Sequence, residues 1–127
     1  MTLVLRSFFR DPYEPNDTFF QAWGPLVSGQ TYRAYFPSES DPADYYYFEV
    51  PDTPDIEIWL TDIPAGNDYD LYLYNDLPAY IDFSGTVGSG DEHIFQANLD
   101  EGKYYIRLTR EAGTSQTQPY ALRAVFK

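Results

Sequence analysis

Cysteine is absent from this 127-residue chain, and histidine and methionine occur once each. Without thiols there is no disulfide framework, no zinc–thiolate site and no cysteine nucleophile, although this assigns no compartment. The lone histidine, His93, alternates with Phe95 and Ala97 as though on the inward face of a strand, and no Gly-x-Ser-x-Gly turn leads into a helix. Cations are scarce too: 8 Lys and Arg stand against 20 Asp and Glu, a formal net charge of −12. Nucleic acid would be repelled by that charge. No apolar run approaches the ~20 residues of a membrane-spanning helix. The glycines at 85, 88 and 90 lack the lysine and following helix of a phosphate cradle. Carboxylate pairs exist at Asp68/Asp70 and Asp91/Glu92, but nothing singles them out for glycoside hydrolysis. The chain is therefore expected not to be an enzyme and to bind neither nucleic acid nor membrane.

Aromatics, by contrast, are abundant: 13 tyrosines and 9 phenylalanines, with 10 prolines and 8 glycines between them. That mixture favours short strands and turns. Apolar residues recur with a period of two over Gln30–Phe36, Tyr45–Val50, Ile56–Leu60, Asp68–Tyr74, Tyr80–Phe83, His93–Leu99, Lys103–Arg110 and Tyr120–Phe126. No segment carries a 3.6-residue stripe. Eight or nine strands at roughly ten-residue spacing describe an all-β antiparallel sandwich or barrel in one domain. Residues 1–10 have scattered apolar side chains and no small-residue cleavage site. They read as an N-terminal extension or linker rather than a signal peptide, with the domain at 11–127.

Hard oxygen ligands gather in two proline-pinned segments. The first holds Asp11, Glu14, Asn16 and Asp17; the second holds Asp41 and Asp44, just before Tyr45-Tyr46-Tyr47-Phe48. Calcium selects carboxylate, amide and carbonyl oxygens, six to eight at a time, and the prolines keep these segments extended. Asp, Asn and Pro also form plain turns, so both readings stand on the residues alone.

Five blocks in order carry a resemblance: Glu-Pro-Asn-Asp-Thr (14–18), Asp-Tyr-Tyr-Tyr-Phe (44–48), Asp-Tyr-Asp-Leu-Tyr-Leu-Tyr (68–74), Gly-Lys-Tyr-Tyr-Ile-Arg-Leu (102–108) and Pro-Tyr-Ala-Leu-Arg (119–123). Over residues 11–126 the chain resembles the bacterial pre-peptidase C-terminal domain, the family that includes the collagen-binding domains of clostridial collagenases. The resemblance implies a jelly-roll-like β-sandwich appended to a secreted peptidase. It also implies one or two calcium ions on Glu14, Asn16, Asp17, Asp41 and Asp44, with Tyr120 near the site. Calcium-binding members carry a further glutamate where this chain has Pro12; either Asp11 beside it substitutes, or one of the paired ions is lost. The tyrosines of the collagen binders correspond to Thr109, Glu111 and Ser84, so collagen is not the expected ligand.

Tyr45, Tyr47, Trp59, Tyr72, Tyr74 and Tyr105 all alternate away from the expected core. They are either a face for an extracellular protein or glycan ligand, with Trp59, Tyr72 and Tyr74 the first contacts, or cross-strand pairs that stabilise a sheet. Two functions follow as expectations. One is an extracellular, non-catalytic accessory domain of a secreted hydrolase, partnered by the parent's catalytic domain. The other is a structural or adhesive module of a surface protein.

Overall fold

A computed structural model describes residues 12–52 and 54–126. Eight strands follow one another: β1 (Thr31–Ala34), β2 (Ala43–Val50), β3 (Ile56–Thr61), β4 (Asp68–Tyr74), β5 (Tyr80–Ser84), β6 (Glu92–Gln96), β7 (Gly102–Ala112) and β8 (Tyr120–Phe126). The only helical element among the described residues is a 3-10 turn at Phe19–Gln21. All strand pairs are antiparallel, in two four-stranded sheets ordered β1-β8-β3-β6 and β2-β7-β4-β5. Only β4 and β5 are joined as neighbours within one sheet. Every other connection crosses between sheets, which is jelly-roll topology.

The expected alternation positions the core. Tyr46, Phe48 and Val50 of β2, Ile56, Ile58 and Leu60 of β3, and Tyr69, Leu71 and Leu73 of β4 point inward and are buried. Their partners Tyr104, Ile106 and Leu108 of β7 and Tyr120, Leu122 and Ala124 of β8 close the sandwich. Burying one such side chain is worth about 1.5–3 kcal/mol, and it is this alternation that sets strand register.

β6 departs from expectation. Glu92 and Ile94 face inward, at 0 % and 2 % exposure, while His93 and Phe95 face solvent. The inward set expected at His93, Phe95 and Ala97 is therefore wrong by one residue. Ile94 opposes Ile58 of β3 and drags the register with it. Buried Glu92 finds donors in the Ser84 hydroxyl (2.5 Å) and the Thr86 amide (2.9–3.0 Å). His93, outside, pairs with Glu57 at 3.0 Å and stacks on Trp59 at 5.0 Å.

Residues 14–26 form a strap, bonded from Asn16 onward to β2, which would otherwise be an open sheet edge. Tyr45 N donates to Asn16 O (2.7 Å), Trp23 N to Tyr45 O (3.0 Å), Tyr47 N to Trp23 O (3.0 Å) and Leu26 N to Tyr47 O (2.9 Å). Gly24 is required there, because an added Cβ would run into the Tyr47 carbonyl. Phe19, at the 3-10 turn, crosses onto the outer face of the β2-β7-β4-β5 sheet and packs on Tyr45, Tyr74 and Tyr105 (4.7–5.3 Å between ring centroids).

Candidate metal centre

The strap and the start of β2 bring four carboxylates together. Ligand oxygens of Glu14, Asp17, Asp41 and Asp44 all lie within 4.8 Å of one another, the only such group among the described residues. Asp11 lies outside the described residues. Pro12, at the departure noted above, is exposed.

Each side chain is held by its own element. Asp44 is the second residue of β2 and is fully buried, its position fixed by pairing with Leu108 of β7. Asp41 lies just ahead of the strand, its amide bonded to Ser38 O at 3.1 Å, and Pro42 O accepts from Arg110 N at 2.9 Å. On the strap, Asn16 N donates to Glu14 Oε1 at 3.2 Å. Burial pushes the Glu14 carboxyl above its usual range, and the neighbouring Asp17 carboxylate adds to that rise.

Tyr120 reaches this group through Asp44, donating its hydroxyl to Asp44 Oδ2 at 2.6 Å. Tyr46, unanticipated from sequence, lies 2.6 Å from the Tyr120 hydroxyl. An ionised carboxylate only accepts, so Tyr120 donates to Asp44 and Tyr46 donates to Tyr120. The spacing of Asp44 and Tyr46, two apart on one strand face, was the available signal; that the third member would come from β8 depends on the fold.

The donor set suits a hard cation. It consists of four carboxylates gathered at one point, one of them fully buried with a charge that calls for compensation, and the Asn16 carboxamide lies against two of them. Glu14, Asp17, Asp41, Asp44 and Asn16 could hold calcium there.

A second carboxylate group, of which the sequence showed the Asp68/Asp70 pair, sits on the β4–β7 side. Asp70 is raised to about 6, chiefly by burial and then by the charges of Asp68, Glu111 and Glu92. Asp68 and Asp70 both lie within β4, whose bounds are those expected from the alternation over Asp68–Tyr74.

Five of the six outward aromatics share one face. Tyr47, Tyr105 and Tyr74 form one cross-strand row on the β2-β7-β4-β5 sheet, and Tyr45, Arg107 and Tyr72 the next. Lys103 lies 4.4 Å over the ring of Tyr47 and 5.0 Å over that of Tyr105; Arg107 lies 4.9 Å over Tyr72. Trp59 is on the opposite sheet, between His93 and Arg123. An extended ligand on Tyr72 and Tyr74 would not reach it. Thr109 is 5 % exposed and donates to Glu111, and Ser84 is committed to Glu92.

The fold is similar to the pre-peptidase C-terminal domain of collagenase from Bacillus anthracis, with a TM-score of 0.64 and 20% identity, covering 78% of this chain and 90% of that one. It is also similar to PliG, a periplasmic inhibitor of g-type lysozyme from Aeromonas hydrophila, with a TM-score of 0.54 and 11% identity over 84% of this chain and 95% of that one. No curated protein sequence matches the chain. Residues 42–110, more than half of the chain, match the model of one domain family. This span takes in Asp44 and stops short of the strap and Asp41. On that match, the chain belongs to the bacterial pre-peptidase C-terminal domain family.

Proposed function

We propose that this domain is a non-catalytic, calcium-binding accessory module of a secreted bacterial hydrolase, a peptidase by family, and that it acts outside the cell to target, secrete or stabilise its parent. The observation that carries the calcium reading is the convergence of Glu14, Asp17, Asp41 and Asp44 within 4.8 Å. Because these residues come from the strap and from β2 with the turn just ahead of it, one or two ions among them would tie the strap to the sandwich. Calcium would supply charge neutralisation and oxygen coordination; the chain supplies a site whose halves meet only when it is folded.

Linkage sets the expected size. An ion that binds only the folded state adds about 2.7 kcal/mol at a free concentration ~100 times its dissociation constant. Thermal unfolding in calcium and in chelator, with metal analysis, measures it. An unchanged midpoint with no bound metal rejects the reading. Asp17→Asn and Asp76→Asn, both at exposed positions, serve as variant and control in a calorimetric titration. Only the first should lose affinity, and equal affinities would place the site elsewhere.

A second reading has its own support in the aromatic face. Five aromatic side chains with Lys103 and Arg107 among them on one sheet suit a structural or adhesive module that docks a partner domain or an extracellular protein or glycan. The domain that neighbours this one in the natural polypeptide separates the two. A peptidase supports the first, an array of similar modules the second.

A further inference from the structure

Four carboxylates this close repel one another, and Asp44 is fully buried. Asn16 stands among them, itself fully buried. Its main chain is held at both ends, with its carbonyl accepting from Tyr45 N and its amide donating to Glu14 Oε1. A half-turn of the side chain about its terminal bond exchanges the places of its oxygen and nitrogen. With its nitrogen toward the carboxylates it donates to Glu14 Oε2 at 3.1 Å and to Asp44 Oδ1 at 3.2 Å. With its oxygen there instead, three oxygens face one another. That is costly without a cation and suited to one, since ligands at about 2.3–2.6 Å from a calcium ion stand about 3 Å apart.

We propose that the Asn16 carboxamide is a two-position switch within the calcium site. Without metal, its two amide protons bridge Glu14 on the strap to Asp44 on β2. With metal, the carboxamide turns and presents its oxygen to the ion. The second position rests on the calcium reading given above; the first rests on the hydrogen bonds alone. Two consequences follow. The strap remains docked when calcium is removed, because the amide protons take over part of the cation's task. Calcium binding must also break two hydrogen bonds to carboxylates, so a carboxylate in place of Asn16 should bind the ion more tightly.

Asn16→Asp keeps the shape and the oxygens and removes both protons. In chelator its melting midpoint should fall several degrees below that of the unsubstituted protein. In excess Ca²⁺ the gap should close, and calorimetric affinity for Ca²⁺ should rise. Nuclear magnetic resonance of the unsubstituted, ¹⁵N-labelled protein gives an independent readout. The Asn16 side-chain amide protons should exchange slowly in chelator and lose that protection when Ca²⁺ is added. Equal midpoints in chelator, or an amide still protected in saturating Ca²⁺, overturn the switch. A titration with neither heat nor bound metal, beside a protected amide, overturns the calcium reading and the ligating position together. An unprotected amide in a protein that does bind Ca²⁺ overturns the switch alone.

Discussion

Asp44 is a buried carboxylate that a tyrosine hydroxyl holds from the interior side. Tyr120 donates to it at 2.6 Å and receives in turn from Tyr46, so the two phenols act as a relay that stabilises the carboxylate from inside the sandwich. Tyr120→Phe removes a charge-assisted donor from Asp44 and leaves the Tyr46 hydroxyl without that acceptor, at a cost of about 1–3 kcal/mol. Because the groups act as a chain, adding Tyr46→Phe to Tyr120→Phe should cost far less than Tyr46→Phe alone. Urea denaturation of the four proteins of this cycle measures the coupling, and strictly additive losses would dismiss the relay. The sequence singles out Glu14, Asp17, Asp41 and Asp44, which the fold brings together, because carboxylates in proline-pinned extended segments are a local pattern. It could place Tyr120 only through family resemblance. Tyr46 and the bridging orientation of Asn16 were out of reach, since both depend on strands far apart in sequence meeting at one point.

Strand alternation was legible for β2, β3, β4, β7 and β8, where one face is apolar and the other is not. β6 was misread because Glu92 is a poor guess for an interior residue. It becomes one only because Ser84 and Thr86 supply three hydrogen bonds to its carboxylate, and a slip of one residue reverses every side chain. The same inward Glu92 bears on β4. Asp70, raised chiefly by its partial burial and then by Asp68, Glu111 and Glu92 around it, is pushed up to about 6 from 3.8. The folded protein therefore holds more protons than the unfolded one between those values, and its stability falls as pH rises across that window. Asp70→Asn removes this penalty. Its melting midpoint should exceed that of the unsubstituted protein at neutral pH, with the gain shrinking to nothing below about pH 4. Unfolding followed across that range is the check, and an advantage that persists undiminished in acid would mean the ionisation of Asp70 is not its source.

At the scale of the whole molecule, the two sheets present different chemistry to solvent. One carries the tyrosine rows with Lys103 and Arg107 laid over them. The other carries a single ladder of Arg123, Trp59 and His93. Sequence could identify these side chains as outward but not assign them to sheets, because period-two alternation names a face and says nothing of which strands become neighbours. Trp59 thus becomes a control rather than a contact: a ligand on the tyrosine sheet should leave its emission unchanged. Collagen is not expected there. Of the positions where the collagen binders carry tyrosine, Thr109 and Glu111 hydrogen-bond to each other and Ser84 to Glu92, so all three are engaged in local structure and offer no aromatic platform. A net charge of −12 adds no attraction to a largely neutral triple helix. A pull-down at physiological salt, with calcium present, should therefore retain no collagen. Tight retention lost on replacing exposed residues of β7 would show that the missing tyrosines do not decide binding, and that this sheet reads a triple helix by other groups.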